Sequence, residues 1–453
     1  MENSFHSVRL LEEECKGCTN CIKHCPTEAI RVYQGKARII NELCIDCGEC
    51  IRVCPNYAKQ TIIDELKEIH EYPYTVALLA PSFFGQFPNA TVNQVHQGVK
   101  DLGFNLVAQV GYGAEHVNFA IRQWMQENPL RPLISSACPT IVRLVQVRFD
   151  ELVDHVIPLE APVEITAGLV REQLAKEKGL SDKDVGVFFI SPCPAKVSAI
   201  KIPIARGQSQ ITAAISMREV YGAIMSKLAT IPKDVVLETD LLASALGMLW
   251  GRRGGEVYAL EGTRVSVDGV YNVINILEDM AMGKLPEVDY LELQACPGGC
   301  VGGPLVTQNP FIAKARLEAL CNGLPAAPKW DRDDLLYRYQ KGDYFWKLPL
   351  QSKAVLSMDG DISTALSMIK QREIIEKELP GLDCGACGSP TCQCLAEDIA
   401  RGMASNNDCI FHLRQAVQYV AADLWRLAKQ VPPTIASQQV LNAMDEEDDN
   451  EDK

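Results

Sequence analysis

The chain has 453 residues and a net charge of −14, long enough for two to four domains of ~100–200 residues each. Hydrophobic residues at 47% and charged residues at 23% give the balance of a soluble globular protein, and the acidic surplus argues against nucleic acid and anionic membranes as partners. No run approaches the ~18 apolar residues of a membrane span, and the acidic start MENSFHSVRLLEEEC is unlike a secretory signal, so a cytoplasmic protein is expected.

Eighteen cysteines with recurrent Cys-x-x-Cys spacing, in a chain without an export signal, point to metal ligation rather than a disulfide framework. Residues 1–65 hold the first group, where Cys-x2-Cys-x2-Cys-x3-Cys-Pro occurs twice, in CKGCTNCIKHCPTEAI and CIDCGECIRVCPNYAK. Three closely spaced thiolates can wrap one face of a four-iron cube while the fourth, before proline, is carried to the other cube. Cluster one then takes Cys15, Cys18, Cys21 and Cys54, and cluster two takes Cys44, Cys47, Cys50 and Cys25. Paired zinc sites are the competing chemistry, but they usually join two separate Cys-x-x-Cys knuckles. The segment resembles a bacterial-type ferredoxin with two 4Fe-4S clusters, which implies one-electron relay.

From 73 to 325 apolar runs alternate with amphipathic stretches, the pattern of an α/β domain with a largely parallel sheet. Four loops, in YTVALLAPS, RPLISSACP, VGVFFISPCPAK and DYLELQACPGGCVGG, each follow directly on a strand-like run. Ligands gather at the carboxyl ends of such strands, so the loops are expected to meet over one cavity and bring together Cys138, Cys193, Cys296 and Cys300. Singly, each of these is more often a buried structural cysteine. As a set at strand ends, behind a ferredoxin-like segment, they read as a metal site.

Residues 326–378 are expected to form a linker and a helix. The unit at 379–432 carries Cys384, Cys387, Cys392 and Cys409 in LPGLDCGACGSPTC and beyond, leaving Cys394 spare. It is similar to a small 4Fe-4S domain, although four thiolates suit zinc as well. The amphipathic stretch 409–430 is expected to pack on its own domain, with partner docking as the alternative. Residues 433–453 read as a disordered acidic tail.

Together SSACPT, SPCPAK and ELQACPGGCVGG resemble the signature loops of iron-iron hydrogenases, over roughly residues 10–310. The resemblance implies an α/β and α+β multidomain chain: a ferredoxin-like module, a two-lobed α/β hydrogenase domain and a small helical 4Fe-4S domain. It implies an H-cluster, a 4Fe-4S cube on Cys138, Cys193, Cys296 and Cys300 that Cys300 bridges to a di-iron subsite bearing carbon monoxide, cyanide and azadithiolate. Lys196 would hydrogen-bond one cyanide, and Pro81 and Ser82 would hold the other. Gln294 stands where a methionine usually packs near that subsite, and Ser191 replaces another methionine.

The departures matter as much as the matches. Efficient members have Cys-Cys-Pro where this chain has Ala137-Cys138-Pro139, and the first of those thiols passes protons to the bridging amine. Alanine has no titratable proton, so the relay is cut at its last station. Ala-Pro-Val at 161–163 likewise replaces Ser-Pro-Gln or Ser-Pro-His. The resemblance therefore points to the sensory branch: slow, ferredoxin-type, reversible hydrogen oxidation and proton reduction. Maturation proteins would build the subsite, a ferredoxin would exchange electrons, and a separate signalling protein would carry the output. Two alternatives remain: a turnover hydrogenase rerouting protons through Glu115, His116, Glu160 or Glu164, and a non-catalytic hydrogenase-like protein of iron-sulfur assembly or electron relay.

Overall fold

The structure is a computed structural model that describes residues 5–326, 330–353 and 362–430. The chain divides into two units, residues 1–358 and 359–453. The acidic tail expected at 433–453 lies outside the described residues.

In the first unit two short antiparallel pairs frame the ferredoxin-like segment: β1 (Val8–Leu10) with β4 (Lys59–Thr61), and β2 (Ile30–Tyr33) with β3 (Lys36–Ile39). Two parallel sheets follow. The larger has the order β6-β5-β8-β9, from Leu106–Gln109, Tyr74–Leu79, Val185–Ser191 and Ala213–Ser216. The smaller has the order β10-β11-β7, from Arg264–Asp268, Tyr290–Gln294 and Leu133–Ile134. β8 is buried along its whole length and β5 from Thr75 onward, as expected of parallel strands covered on both faces by helices, which read as nearly unbroken apolar runs. Each sheet has its own core, one built on Leu78, Phe83, Val187 and Ile190, the other on Ile134, Ile141, Leu291 and Leu293.

The largely parallel architecture expected from the sequence is thus two sheets, and the strand-end loops are shared between them. β5 and β8 supply two, and β7 and β11 supply the others. Residues 330–353, expected to be linker, instead belong to the packed first unit. Tyr344 is fully buried there, and Trp330 packs on the same core beside Leu335 and Tyr339. In this stretch aromatic side chains, Trp330 of PAAPKWDRDD among them, outweigh the turn-like character of that segment.

The helices Val110–Glu127 and Ala245–Leu249 cross where Gly111 meets Gly247, and a Cβ on Gly247 would collide with the Gly111 carbonyl oxygen. Overpacking costs ~1–3 kcal/mol. Gly247→Ala is therefore expected to lower the thermal midpoint of the iron-loaded protein; an unchanged midpoint would show that the helices separate freely.

In the second unit the helices Ile362–Glu378 and Cys392–Ala400 share a small core of Ile375, Leu379, Leu395, Ala396 and Cys409. The last helix, Ile410–Ala428, buries none of its residues. The expectation that it packs on its own domain is not met: among the described residues the small core takes in Cys409 but no residue of the helix itself.

Candidate functional site

The repeated Cys-Pro and Ala-Pro pairs have a local structural meaning. Ala80, Cys138, Ala161 and Cys193 are each the residue before a helix whose first position is proline: Pro81–Phe84, Pro139–Arg148, Pro162–Lys178 and Pro194–Lys201. Proline suits that position because its fixed φ is helical and the missing N–H would have no partner in the helix anyway. Three of these turns follow β5, β7 and β8, so Pro81, Cys138 and Cys193 stand at strand ends. The fourth strand-end loop differs. After β11, Gly299 (φ 94°) turns the chain into the 3-10 turn Cys300–Gly302, and a Cβ there would lie 2.6 Å from Gln294 Oε1.

These elements enclose a cavity of about 90 Å³, several times the ~10–15 Å³ needed for one water. Its wall includes Pro81, Ser82, Ala137, Lys196 and Gln294 as well as all four cysteines of the expected set, Cys138, Cys193, Cys296 and Cys300. Burial pushes the Cys193 thiol up to about 11 and Cys300 up to about 12, and raises Cys296 well above its ordinary value; the neighbouring thiols add to each shift. Thiols so placed stay protonated until a metal displaces the proton.

The polar groups on the wall also suit a ligand-bearing metal group. Ser82 Oγ, Gln294 Oε1 and Trp250 Nε1 are buried with no hydrogen-bond partner among the described residues, an arrangement that is costly unless something else satisfies them. Lys196 Nζ donates to the Ala137 carbonyl oxygen at 2.9 Å, which leaves two ammonium protons for another acceptor. Four converging thiols, a cation and unsatisfied polar atoms fit an iron-sulfur group with anionic ligands.

At the expected break in proton transfer, the Ala137 side chain is a methyl on the wall, and Pro162 and Val163 add further apolar surface. The sequence-proposed stations Glu115, His116, Glu160 and Glu164 do not reach the wall. Glu115 accepts from Trp330 Nε1 and the Ser244 N–H, and His116 pairs with Tyr344 OH. Glu164 is held by Arg206, Ser209 and the Gln210 N–H. Glu160 beside it is pushed up to about 7 by burial.

Glu256, which sequence reasoning missed, does line the cavity. It is 3% exposed and accepts from Tyr290 OH at 2.5 Å and Ser135 Oγ at 2.8 Å; Ser135 Oγ in turn accepts the Ala137 N–H at 3.2 Å. Glu292, fully buried, accepts the N–H groups of Gly254 and Val257. Burial raises both carboxyls, and Glu292 raises Glu256 further. Two N–H donors favour the charged form of Glu292, whereas the hydroxyl partners of Glu256 tolerate a proton, so the pair's proton resides on Glu256. For Glu292 the available signal was an acid inside the apolar run YLELQ.

The ferredoxin-like segment brings its cysteines together in the two crossed sets. Cys15, Cys18, Cys21 and Cys54 line one small cavity, and Cys15, Cys18 and Cys54 all raise Cys21 beyond its burial shift. Cys47, raised first by burial, is raised further by Cys25, Cys50 and Cys44 beside it. The two halves repeat a detail: Cys25 Sγ accepts the Ala29 N–H at 3.2 Å and Cys54 Sγ the Ala58 N–H at 3.3 Å. Cys47 also lines the large cavity. Asp46 accepts from His6 Nδ1 at 2.9 Å and pairs with Arg143; although burial opposes it, these partners hold the carboxyl below its usual range. In the second unit Cys387, Cys392 and Cys409 share one cluster, and Cys384 is close enough to raise Cys387, whose shift is mainly burial. Cys394 is buried in the same unit.

Family models match the three cysteine-bearing regions of the chain. The family model "iron only hydrogenase large subunit, C-terminal domain" matches residues 73–263 and 258–304, a 4Fe-4S dicluster domain matches 7–55, and a putative Fe-S cluster domain matches 379–411. The chain is 24% identical over 358 residues to a probable cytosolic Fe-S cluster assembly factor of Caenorhabditis elegans, covering 66% of this chain and 71% of that one. It is 24% identical over 329 residues to iron hydrogenase 1 of Clostridium pasteurianum, covering 58% of this chain and 57% of that one. A solved iron-iron hydrogenase of Chlamydomonas reinhardtii aligns at 17% identity with a TM-score of 0.49, over 64% of this chain and 98% of that one. Among the described residues no helix is long and apolar enough to cross a membrane. Since the hydrogenase model runs through just over half of the 453 residues, the chain belongs to the iron-iron hydrogenase-like family, with a ferredoxin-like module before the hydrogenase domain and an Fe-S domain after it.

Proposed function

We propose that this protein binds hydrogen at an H-cluster, interconverts it slowly with protons and electrons, and reports hydrogen or redox state to a separate partner. The observation that supports this most is the cavity wall, which keeps four cysteines and Lys196 but has Ala137 in the place of the proton-relay cysteine.

When bound, the H-cluster supplies the redox chemistry that splits or forms hydrogen. Cys138, Cys193, Cys296 and Cys300 would hold its cube, and Lys196, Pro81 and Ser82 would orient its cyanides. Electrons from a ferredoxin would enter at the first cysteine set, whose Cys18 is exposed, and pass to the second, whose Cys47 borders the cavity. Glu256 would hold and release the proton at the wall. Its burial, and that of Glu292, slows exchange with bulk water, which fits a site that needs occupancy more than flux. The cytosolic relative suggests a cytoplasmic location.

The relatives include both a hydrogenase and an assembly factor, and Lys196 and the unsatisfied Ser82 favour the hydrogenase reading, since the cyanides of a di-iron subsite would accept from both. Ala137→Cys tests the break. Hydrogen evolution with a reduced dye is expected to rise severalfold, because a thiol on the cavity wall would supply the titratable proton that alanine lacks. A rate that stays level would remove Ala137 as the cause of slow turnover.

A further inference from the structure

The C-terminal helix Ile410–Ala428 carries an unpartnered apolar face with a regular design. Ile410, Leu413, Val417, Val420, Leu424 and Leu427 are all 47–62% exposed. They alternate at intervals of three and four residues, a seven-residue repeat whose period of 3.5 sets a narrow seam along a helix for a second helix to occupy. Ala416, Ala421 and Ala428 border the seam together with Arg414 and Asp423, so three of the five flanking positions carry only a methyl. His412 Nε2 meets the Glu378 carbonyl oxygen at 3.0 Å, which ties the start of the helix to the helix Ile362–Glu378 of its own unit.

We propose that the occupant is the same helix of a second copy of this chain, paired antiparallel. The seam reads Ile-Leu-Val-Val-Leu-Leu, nearly the same in both directions. Run antiparallel, Ile410 meets Leu427 of the second copy, Leu413 meets Leu424, and Val417 meets Val420. Long side chains face long ones toward the ends and the valines meet at the centre, so every seam residue on both helices is covered. A two-fold contact requires this self-complementarity, whereas a different partner places no such demand on the order of residues. With fewer than three heptads the association is concentration-dependent.

Sedimentation velocity on the full, iron-loaded chain over a micromolar concentration series tests this. A monomer–dimer equilibrium is expected. Val420→Glu, which buries a carboxylate in the central layer, should raise the dissociation constant at least ~10-fold with helix content and iron per chain unchanged. Gln418→Glu, outside the seam, should leave it as it was. Combining Val417→Lys with Val420→Glu sets opposite charges face to face only in antiparallel pairing and should recover dimer relative to either single change. A chain that stays monomeric at every concentration overturns the proposal. A dimer indifferent to Val420→Glu overturns it as well, and a double variant no better than the singles overturns the antiparallel orientation.

Discussion

Replacing Cys300 with alanine is expected to abolish hydrogen turnover, lowering the rate by ~10³-fold or more, equivalent to ~4 kcal/mol of transition-state stabilisation. The side chain sits on the cavity wall at the start of the turn Cys300–Gly302, fixed there by the left-handed Gly299. Burial raises the thiol to about 12, with Cys193 and Cys138 contributing, so its use as a ligand depends on metal taking the proton's place. Three thiols would remain for a cube, but the bridge to a di-iron subsite would be gone. Stretching bands of metal-bound carbon monoxide and cyanide should vanish, while the paramagnetic signals of the ferredoxin-like clusters persist, since none of their eight cysteines is touched. A variant that kept both the bands and the rate would rule out Cys300 as the bridge.

Glu256→Gln is expected to reduce turnover by ~10²-fold, within the range for losing one positioned proton-transfer group. Glutamine has nearly the same shape and retains hydrogen-bonding contact with Tyr290 and Ser135, but it cannot release a proton. The infrared bands should therefore be unchanged while the rate falls, a split that a merely structural role would not produce. The pH dependence follows in sign. Burial and the nearby Glu292 raise the Glu256 carboxyl, so the proton is present below that raised value and lost as pH climbs through it. Proton reduction should decline across that rise and hydrogen oxidation should gain, because the deprotonated form is the acceptor. Both limbs should be absent from Glu256→Gln. A variant with the parental rate and profile would move the proton path elsewhere.

The parts of the site that are local in sequence were legible. The Cys-x2-Cys-x2-Cys-x3-Cys-Pro repeats announce their own geometry, and Cys138 and Cys193 are marked by an apolar strand before them and a proline after them. The alanine before Cys138 was equally plain, and it does lie on the cavity wall. Less visible were groups whose role comes only from distant contacts. Glu256 lies in a glycine-rich turn with no motif, and meets Ser135 from 121 residues away. Glu115 and His116 looked like proton carriers because of their chemistry, yet Trp330 and Tyr344 enclose them away from the cavity. Amphipathicity in the last helix was readable, but whether its apolar face would be covered depended on the size of a core that periodicity does not report.

The most direct measurement is infrared spectroscopy of the protein supplied with the di-iron cofactor, with and without hydrogen, alongside the rate of hydrogen evolution. Carbon monoxide and cyanide bands that shift under hydrogen, at low turnover, are expected for a hydrogen-responsive site on Cys300 and Lys196. Full iron-sulfur loading without any such bands would contradict the assignment and leave electron relay or iron-sulfur assembly in its place.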